Sequence, residues 1–365
     1  MGKRILILTA GFGEGHNAAA RGMHDGLIAV DDGAAVEVHD IFAETYGIAN
    51  DLARKGYLAM INRAPRTWGT LYQWLDRQEE YGPRLRWLFL ARGRLSQLLA
   101  RFEPTAVVMV YPAYPYLLEA ILGATPALFR RVVCITDSIT VNAIWYRCAA
   151  DLFLVPNEQT AAKLDKAHLP SGKVRVTGFP VSPKFAAFRQ PRPRPGAQED
   201  WRILYMINAG GRVATEVIER LARLPNVRLT VTVGRDERLR RAVEAVDAQA
   251  ARKFEIIGWT DQLPRLMRES RLLISKAGGA TTQEAIAAEC PMIITQVVPG
   301  QEEGNAQLIE ESNAGVVAMT PDAIVAAVER ATANNAQVWG EWSRNISALS
   351  RPRASLEIAE LLLAL

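Results

Sequence analysis

The sequence predicts an α/β protein built from two doubly wound domains that face a central cleft. Its 365 residues exceed the length at which one hydrophobic core usually gives way to two. Short apolar runs of strand length alternate with segments of helical length in both halves of the chain, which is typical of parallel sheets covered by helices. A stretch with three prolines in five positions separates the halves. A segment of this composition can form neither a continuous helix nor a central strand, so it is predicted to be a linker.

The order of these elements assigns each part of the chain to a domain. The first domain covers residues 1–187, with strand-like runs at 4–9, 35–39, 106–111, 132–136, 152–155 and 174–177. A linker covers residues 188–200. The second domain covers residues 201–345, with runs at 203–207, 227–233, 255–257, 272–274, 292–295 and 316–318. We expect residues 346–365 to form a C-terminal helix that packs back toward the first domain.

The composition is that of an ordinary globular protein, with 49% hydrophobic and 22% charged residues. The cysteines, Cys134, Cys148 and Cys290, have no metal-site spacing, and their odd number argues against a disulfide framework. They predict a reducing, cytoplasmic compartment. The first apolar run is too short for a signal peptide. No apolar stretch reaches the roughly 18–20 residues of a membrane-spanning helix, although the chain can still bind to a membrane surface.

The net charge of +4 is unevenly spread, with an excess in what we call the basic–aromatic segment, from Arg54 to Arg101. This segment holds ten basic and three acidic residues. Its aromatic residues are Tyr57, Trp68, Tyr72, Trp74, Tyr81, Trp87 and Phe89. The mixture suits an anionic lipid surface, and it also suits nucleic acid. The plainer alternative is a pair of amphipathic helices with solvated arginines.

A glycine-rich loop follows the first strand and ends at a histidine. Gly11, Gly13 and Gly15 let the backbone approach a ligand, and the helix that starts behind them favours negative charge. The G-x-G-x-G-H spacing disfavours a dinucleotide site, although Asp40 stands about where a ribose-binding acid would. The positive helix end keeps His16 neutral and able to act as a general base. The alternative is a histidine that only caps the first turn.

Two other loops place polar groups at the carboxyl ends of strands, where doubly wound sheets bind ligands. In residues 136–145, Asp137 stands among several hydroxyls and either orients an acceptor or a base, or caps the following turn. In the second domain, Gly210 and Gly211 open a helix and form a turn able to bind an anion. That turn is not a P-loop, because no G-K-[ST] follows it.

Residues 275–285 carry the strongest single signal. A strand ends, Gly278 and Gly279 turn the chain, and a helix starts with free backbone N–H groups, which can bind a diphosphate without a metal. Thr281-x-x-Glu284 also reads as a capping box, which needs no ligand. Alternatively, Glu284 lies one turn beyond the phosphates, where it can bind a ribose diol.

The next loop, residues 298–305, again places polar side chains before a helix start. Gln301 and Glu302 can read sugar hydroxyls through directional hydrogen bonds. Two such loops in succession favour a nucleotide-sugar donor site between Ile274 and Asn305.

Five motifs occur in order along nearly the whole chain: G-x-G-H-x-x-A-A at 13–20, T-D at 136–137 with Trp145, V-T-G-F-P-V at 176–181, K-x-G-G-x-T-x-x-E-A at 276–285 and P-G-Q-E-E-x-N at 299–305. Together they resemble the monogalactosyldiacylglycerol synthases and the bacterial processive diacylglycerol glucosyltransferases. More distantly, they resemble the lipid II N-acetylglucosaminyltransferase. The resemblance implies a GT-B fold of two Rossmann-like domains and an inverting enzyme.

The resemblance also implies roles for the matching residues. His16 matches a family histidine that is taken as the catalytic base or as essential at the acceptor mouth. We expect Asp137 to be a second catalytic residue. The glycine turns hold the UDP phosphates, Glu284 the ribose and Trp259 the uracil, while Gln301 and Glu302 contact the donor sugar. The donor-side set is Gly210, Gly211, Trp259, Lys276, Gly278, Gly279, Thr281, Glu284, Gln301 and Glu302, and the acceptor-side set is Gly13, Gly15, Asn142 and Trp145.

The sequence departs from the family pattern at three places. Asn142 stands where the family commonly has a histidine, and Val110-Tyr111-Pro112 where it often has Thr-His-Pro. Residues 276–279 read K-A-G-G in place of K-P-G-G. The first two changes lie on the acceptor side, so they leave the donor chemistry intact and bear on the identity of the acceptor lipid.

The activity implied by the resemblance is transfer of a hexose from a UDP-sugar to a lipid hydroxyl, foremost that of diacylglycerol, at the inner face of the cell membrane. Backbone N–H groups at the glycine turns would stabilise the departing diphosphate. No metal or other cofactor is expected, and the sequence has no D-x-D pair to hold one. The basic–aromatic segment is expected to bind anionic lipid rather than nucleic acid. The alternatives are a UDP-sugar epimerase and a non-catalytic UDP-sugar-binding protein.

Overall fold

The computed structural model describes residues 2–78, 81, 88–187, 200–207 and 211–365. Gly210, most of the predicted linker, and Arg84, Arg86 and Trp87 of the basic–aromatic segment therefore lie outside the described residues. The chain divides into two compact units. The first comprises Met1–Pro183, Val298–Gly304 and Arg351–Leu365, and the second comprises Lys184–Val297 and Asn305–Ser350.

The first unit is built on a parallel sheet. Its strands are β1 (Arg4–Leu8), β2 (Ala35–His39), β3 (Ala106–Met109), β4 (Arg130–Cys134), β5 (Leu152–Val155) and β6 (Val174–Val176), in the order β2-β1-β3-β4-β5-β6. Its helices include α1 (Glu14–Val30), α2 (Ile41–Tyr46), α3 (Ile48–Arg63), α4 (Pro65–Asp76), α5 (Phe89–Phe102), α6 (Tyr114–Leu122) and α7 (Glu158–Lys166). Strands β3 and β5 are apolar and buried throughout, as expected where helices cover a parallel sheet.

The second unit repeats this plan. Its strands are β7 (Trp201–Met206), β8 (Val227–Gly234), β9 (Glu255–Gly258), β10 (Leu272–Ser275), β11 (Met292–Ile294) and β12 (Gly315–Val317), all parallel in the order β12-β11-β10-β7-β8-β9. Its helices are α8 (Gly211–Leu221), α9 (Glu237–Gln249), α10 (Leu263–Glu269), α11 (Gly279–Ala287), α12 (Glu303–Glu311, shared with the first unit) and α13 (Pro321–Leu349). Positive φ values at Asn334, Asn335 and Ala336 kink α13.

The last helix, α14 (Ala354–Ala364), packs against α1 in the first unit. Two glycines make the close approach possible. A Cβ atom on Gly26 would lie 2.5 Å from the carbonyl oxygen of Ser355, and one on Gly22 would lie 1.8 Å from that of Pro180. Because α1 has no side chain at these two positions, both α14 and the V-T-G-F-P-V segment can pack closely against it.

The predicted α/β class with two doubly wound domains is confirmed, and every predicted strand-like run overlaps a strand. In each sheet the strand order reverses at one point, between β1 and β3 in the first and between β7 and β10 in the second. Open parallel sheets bind ligands at the carboxyl ends of the strands at such a reversal. The loops after these four strands are therefore where each unit is expected to bind its ligand.

Candidate functional site

The glycine-rich loop after β1 leads into α1. Gly13 is the N-cap of α1, and Gly15 lies in its first turn. The N–H of Gly11 donates to Oδ2 of Asp40 at 2.8 Å, and the other carboxylate oxygen of Asp40 accepts from the N–H of Ala43 at 2.9 Å. Asp40 thus caps α2 and anchors the loop, which explains its position without a ribose ligand.

His16 is buried in the first turn of α1. Its Nδ1 atom lies 3.1 Å from the hydroxyl oxygen of Thr136, and its ring centroid lies 5.2 Å from that of Tyr111 and 5.8 Å from that of Trp145. The ring bonds to Thr136 and to the backbone of Val110, both outside α1, so the geometry disfavours the alternative of a capping histidine. Burial lowers the pKa of His16 to about 4, against an opposing hydrogen bond to the backbone of Val110. The ring is neutral as predicted, but the main cause is burial rather than the helix end.

Asp137 follows β4 and shares Trp145 with His16. The indole Nε1–H of Trp145 donates to Oδ2 of Asp137 at 2.8 Å, and the hydroxyl of Tyr72 donates to the same oxygen at 3.5 Å. Burial raises the pKa of Asp137 to about 6, and these two hydrogen bonds lower it. Its partners are side chains rather than backbone N–H groups, so of the two alternatives for Asp137 the geometry favours orientation over turn capping. His16, Asp137 and Trp145 form one cluster.

Asn142 supports the loop that carries Trp145. It is 3% exposed, its Nδ2 donates to the carbonyl of Tyr72 at 3.0 Å, and its Oδ1 accepts from the N–H of Ile144 at 3.1 Å. The N–H of Ala143 donates to Oδ1 of Asp76 at 2.7 Å. Helix α4 therefore holds this loop at several points. Both the nitrogen and the oxygen of the Asn142 amide thus make hydrogen bonds that hold the loop, which accounts for an asparagine at this position.

The loop Val298–Gly304 belongs to the first unit, although β11 and most of α12 on either side of it lie in the second. The hydroxyl of Tyr57 donates to Oε1 of Gln301 at 2.9 Å. Glu302 is 5% exposed, and its Oε2 accepts from the N–H of Val298 at 3.0 Å. The carboxylate of Glu302 therefore braces its own loop, while Gln301 is tied to α3.

Close backbone packing fixes the same loop. The hydroxyl oxygen of Thr140 accepts from the N–H of Gly304 at 3.1 Å and donates to the carbonyl of Gly300 at 3.4 Å. A Cβ atom on Gly304 would lie 1.8 Å from the carbonyl oxygen of Ser138. Gly300 has a φ of +78°, and a Cβ atom there would lie 2.7 Å from the ring of Tyr72. Both positions need glycine, and the predicted sugar-binding loop is held against the Asp137 loop.

In the second unit, the segment after β10 forms a helix start. Gly278 is the N-cap of α11, Gly279 is its first residue and Thr281 its third. The capping-box alternative for Thr281 and Glu284 is therefore wrong, because its threonine would have to stand at the N-cap. The side chain of Lys276 lies over Gly278, with Cε 3.4 Å and Nζ 3.7 Å from where a Cβ would stand. A positive charge thus lies beside the N–H groups of the first turn, which favours an anion.

A cavity of about 720 Å³ opens at the carboxyl ends of β7 and β8 in the same unit. Its lining includes Gly211, the first residue of α8, together with Arg212, Arg235 and Arg238. The guanidinium of Arg235 also lies over the ring of Trp259, 5.0 Å from its centroid, and Trp259 is 66% exposed. Arg235, in the β8–α9 connection, and Arg238, in the first turn of α9, were not predicted, because no local pattern places them beside Gly211.

The basic–aromatic segment makes up most of α3, all of α4 and most of α5, and these three helices leave large apolar side chains in solvent. They are Ile48, Leu52, Leu58, Leu71, Trp74, Phe89 and Leu90, between 36% and 80% exposed. On α3, Ile48 and Leu52 lie one turn apart, on the side opposite to Tyr57 and Ile61, which pack inward. Within the described parts of the chain, no helix has the length and the apolar character that crossing a bilayer requires.

Two family models match the chain, one in each half. Residues 16–181 match the monogalactosyldiacylglycerol (MGDG) synthase model, and residues 202–334 match the glycosyl transferases group 1 model. A processive diacylglycerol beta-glucosyltransferase of Bacillus subtilis is 24% identical over 343 residues, which cover 89% of this chain and 86% of that protein.

Solved structures share the fold over the full length. MurG of Acinetobacter baumannii has a TM-score of 0.62 at 16% identity and covers 100% of both chains. A UGT of Medicago truncatula complexed with UDP-glucose has a TM-score of 0.62 at 12% identity, covering 100% of this chain and 98% of that one. A UDP-GlcNAc 2-epimerase of Neisseria meningitidis bound to UDP-GlcNAc has a TM-score of 0.60 at 14% identity, covering 100% of both. At these identities the likeness establishes the GT-B architecture alone.

Proposed function

The chain belongs to the glycosyltransferase family of the monogalactosyldiacylglycerol synthases and the processive diacylglycerol glucosyltransferases, and we propose that it transfers a hexose from a UDP-sugar to the hydroxyl of diacylglycerol. The observation that carries the proposal is the cluster of His16, Asp137 and Trp145 after β1 and β4, beside the loop of Gln301. It brings a neutral imidazole and a carboxylate to the place where a doubly wound unit binds its ligand.

We propose that the UDP part of the donor binds to the second unit. The first turns of α11 and α8 would donate N–H groups to the diphosphate, and Lys276 would add a positive charge. These groups would also stabilise the negative charge on UDP as it departs, so a metal is not required. The other expected contacts are Glu284 and Thr281 with the ribose side, Trp259 with uracil, and Gln301 and Glu302 with the hexose.

We propose that the acceptor hydroxyl binds beside His16. As the new bond forms between the hydroxyl oxygen and the anomeric carbon, the bond from that carbon to the UDP oxygen breaks, and the configuration inverts. The hydroxyl proton goes to the neutral ring of His16, and UDP leaves with the bonding electron pair. Asp137 holds Trp145 against the ring of His16 and so positions the base. Gly13 and Gly15 leave room at the start of α1 for the acceptor.

We propose that α3, α4 and α5 bind an anionic membrane at its inner face and bring the enzyme to its lipid. The exposed apolar side chains suit the boundary between headgroups and acyl chains, and the basic residues of the segment suit anionic headgroups. A nucleic-acid surface would offer phosphates to the basic residues but nothing to Ile48 or Leu52, which are 80% and 63% exposed. A membrane therefore accounts both for the basic residues of the segment and for the exposed apolar side chains of its helices.

The proposal is tested by incubating the protein with UDP-glucose and UDP-galactose in parallel, with diacylglycerol in anionic vesicles, and analysing the lipids by mass spectrometry. We expect a hexosyl diacylglycerol from at least one donor. His16→Ala should lose the product while retaining UDP affinity by calorimetry, because it lies outside the second unit. Hydrolysis or binding of UDP-sugar with no glycolipid product would contradict the proposal.

The epimerase alternative predicts a different product. Such an enzyme would interconvert UDP-sugars in the absence of vesicles, and its products appear as new UDP-sugars by chromatography. The exposed apolar side chains of α3, α4 and α5 have no use in that reaction. They also have none in a protein that only binds UDP-sugar, so the transferase proposal accounts for more of the molecule.

A further inference from the structure

Three aromatic side chains on α3 and α4 pack inward, and the proposed transfer reaction does not by itself require them. We call Tyr57, Trp68 and Tyr72 the aromatic cluster. The rings of Tyr57 and Trp68 meet edge to face with 5.0 Å between centroids, and those of Trp68 and Tyr72 lie 6.1 Å apart. Val298 packs with them, and a Cβ atom on Gly69 would lie 3.1 Å from Pro299. The cluster therefore lies directly against the loop of Gln301.

The indole of Trp68 has a polar atom that the fold leaves unused. Trp68 is 8% exposed, and within residues 2–78, 81, 88–187, 200–207 and 211–365 nothing hydrogen-bonds to its buried Nε1 atom. Buried tryptophan N–H groups usually have a partner, because an unpaired donor has lost its water and gained nothing in exchange. An unpaired donor of this kind beside a predicted substrate loop indicates a ligand that supplies the acceptor.

Gln301 presents a second N–H donor at the same place. Its Oε1 accepts from the hydroxyl of Tyr57 at 2.9 Å. Burial raises the pKa of Tyr57 well above its usual value, so this hydroxyl stays protonated and keeps donating. With Oε1 engaged, the amide turns its Nε2 group toward other partners. Aromatic side chains and N–H donors are thus associated with the same loop.

This combination matches a hexopyranose ring. Such a ring has apolar C–H faces that pack on aromatic side chains, and hydroxyl oxygens that accept hydrogen bonds from fixed donors. We propose that the aromatic cluster and Gln301 form a hexopyranose subsite in which Trp68 Nε1–H donates to a sugar hydroxyl. The inference rests on the proposed function and gives α3 and α4 a role in sugar recognition besides membrane binding.

Two substrates of the proposed reaction carry a hexopyranose. One is the UDP-hexose donor, and the other is the monohexosyl lipid that a first transfer would make and a second would use as acceptor. The hydroxyl of Tyr72 lies 3.5 Å from Oδ2 of Asp137, so the subsite adjoins the catalytic cluster. The donor and the monohexosyl lipid both present a hexopyranose ring to the subsite. Separate probes for each show which of the two rings binds there.

The test measures binding without vesicles, by calorimetry, for the wild type and Trp68→Phe. The probes are UDP, UDP-glucose, UDP-galactose, and octyl glucoside and octyl galactoside below their micelle concentrations. Phenylalanine keeps a six-membered apolar ring and removes the pyrrole ring with its N–H. We expect about a tenfold loss of affinity for a sugar-bearing probe, equivalent to about 1.4 kcal/mol, and unchanged affinity for UDP. Trp342→Phe, which removes an indole that is 2% exposed in the core of the second unit, should change none of these affinities.

A loss for the UDP-hexoses alone assigns the subsite to the donor ring, and a loss for an octyl glycoside assigns it to the acceptor ring. Tyr57→Phe, which releases Gln301, should weaken the same probe and serves if Trp68→Phe does not fold. Unchanged affinity for every probe in both variants would overturn the proposal. The assay involves no transfer, so a protein that binds these probes normally yet makes no glycolipid would refute the proposed function and leave the subsite standing.

Discussion

Burial shifts the pKa values of His16 and Asp137 in opposite directions, and this predicts a cancellation in the pH dependence of stability. The pKa of His16 falls from 6.5 to about 4, so its contribution is present above pH 6.5 and is lost as the pH falls toward 4. The pKa of Asp137 rises from 3.8 to about 6, so its contribution is present below pH 3.8 and is lost as the pH rises through 6. Between pH 7 and 4 the two effects oppose each other.

The magnitudes follow from the shifts. At about 1.4 kcal/mol per pKa unit, acidification from pH 7 to 4 costs about 3 kcal/mol through His16. Asp137 is not fully buried, and solvent screens it in part, so its protonation restores less stability, about 2 kcal/mol. His16→Gln lacks the loss that the wild type suffers through His16, so we expect its free energy of unfolding to rise relative to the wild type as the pH falls from 7 to 4. Asp137→Asn lacks the gain through Asp137, so we expect its free energy of unfolding to fall relative to the wild type over the same range. The double variant should follow the wild type to within about 1 kcal/mol.

The assay is urea unfolding followed by circular dichroism at several pH values between 4 and 7.5. Two units can unfold in separate transitions, so the comparison uses the transition that both single variants displace. Because every other titrating group is common to the variants, the difference between variant and wild type isolates the substituted residue. Differences that stay flat across the range, or that have the same sign for both variants, would refute the reasoning.

Further outcomes follow for activity and membrane binding. His16→Ala should lower kcat by about 10²- to 10⁴-fold in the vesicle assay. For the wild type, kcat/KM should fall as the pH is lowered through about 6, because Asp137 takes up a proton there; Asp137→Asn should remove that limb of the profile. Gly304→Ala, whose Cβ would lie 1.8 Å from the carbonyl oxygen of Ser138, should displace the sugar loop and raise KM for UDP-hexose about tenfold. Ile48→Ser, at an 80% exposed position, should weaken sedimentation with anionic vesicles about tenfold while UDP affinity is unchanged.

The strands and the two sheets were predictable from the sequence because their signals are local. Runs such as Ile5–Leu8 are apolar throughout and bounded by glycine or polar residues, so both their type and their burial follow from a short window. The start of α1 just after Gly13 and that of α11 at Gly279 were also predictable, because the glycine-rich signals for them are local. His16 and Asp137 stood out because each follows a strand in a loop rich in small or polar residues.

The surroundings of these residues were not predictable, because distant parts of the chain supply them. Tyr57 meets Gln301 across 244 positions, and Thr140 meets Gly304 across 164. No local pattern records such pairs, so the loop of Gln301 was assigned with the rest of the second domain. The capping box failed for a different reason: its pattern also fits a helix that starts earlier, and the glycine at position 278 starts it there.

The pKa values of His16 and Asp137 also bear on which group holds the proton during the reaction. With values of about 4 and about 6, Asp137 binds a proton about a hundredfold more strongly than His16. Near neutral pH the imidazole is therefore neutral and can accept a proton, although it is a weak base, while the carboxylate is mostly ionised and accepts the hydrogen bond of Trp145. Trp145 connects them, because its N–H stabilises the carboxylate while its ring packs on the imidazole. Trp145, eight residues after Asp137, thus links the charge of Asp137 to the position of the His16 ring.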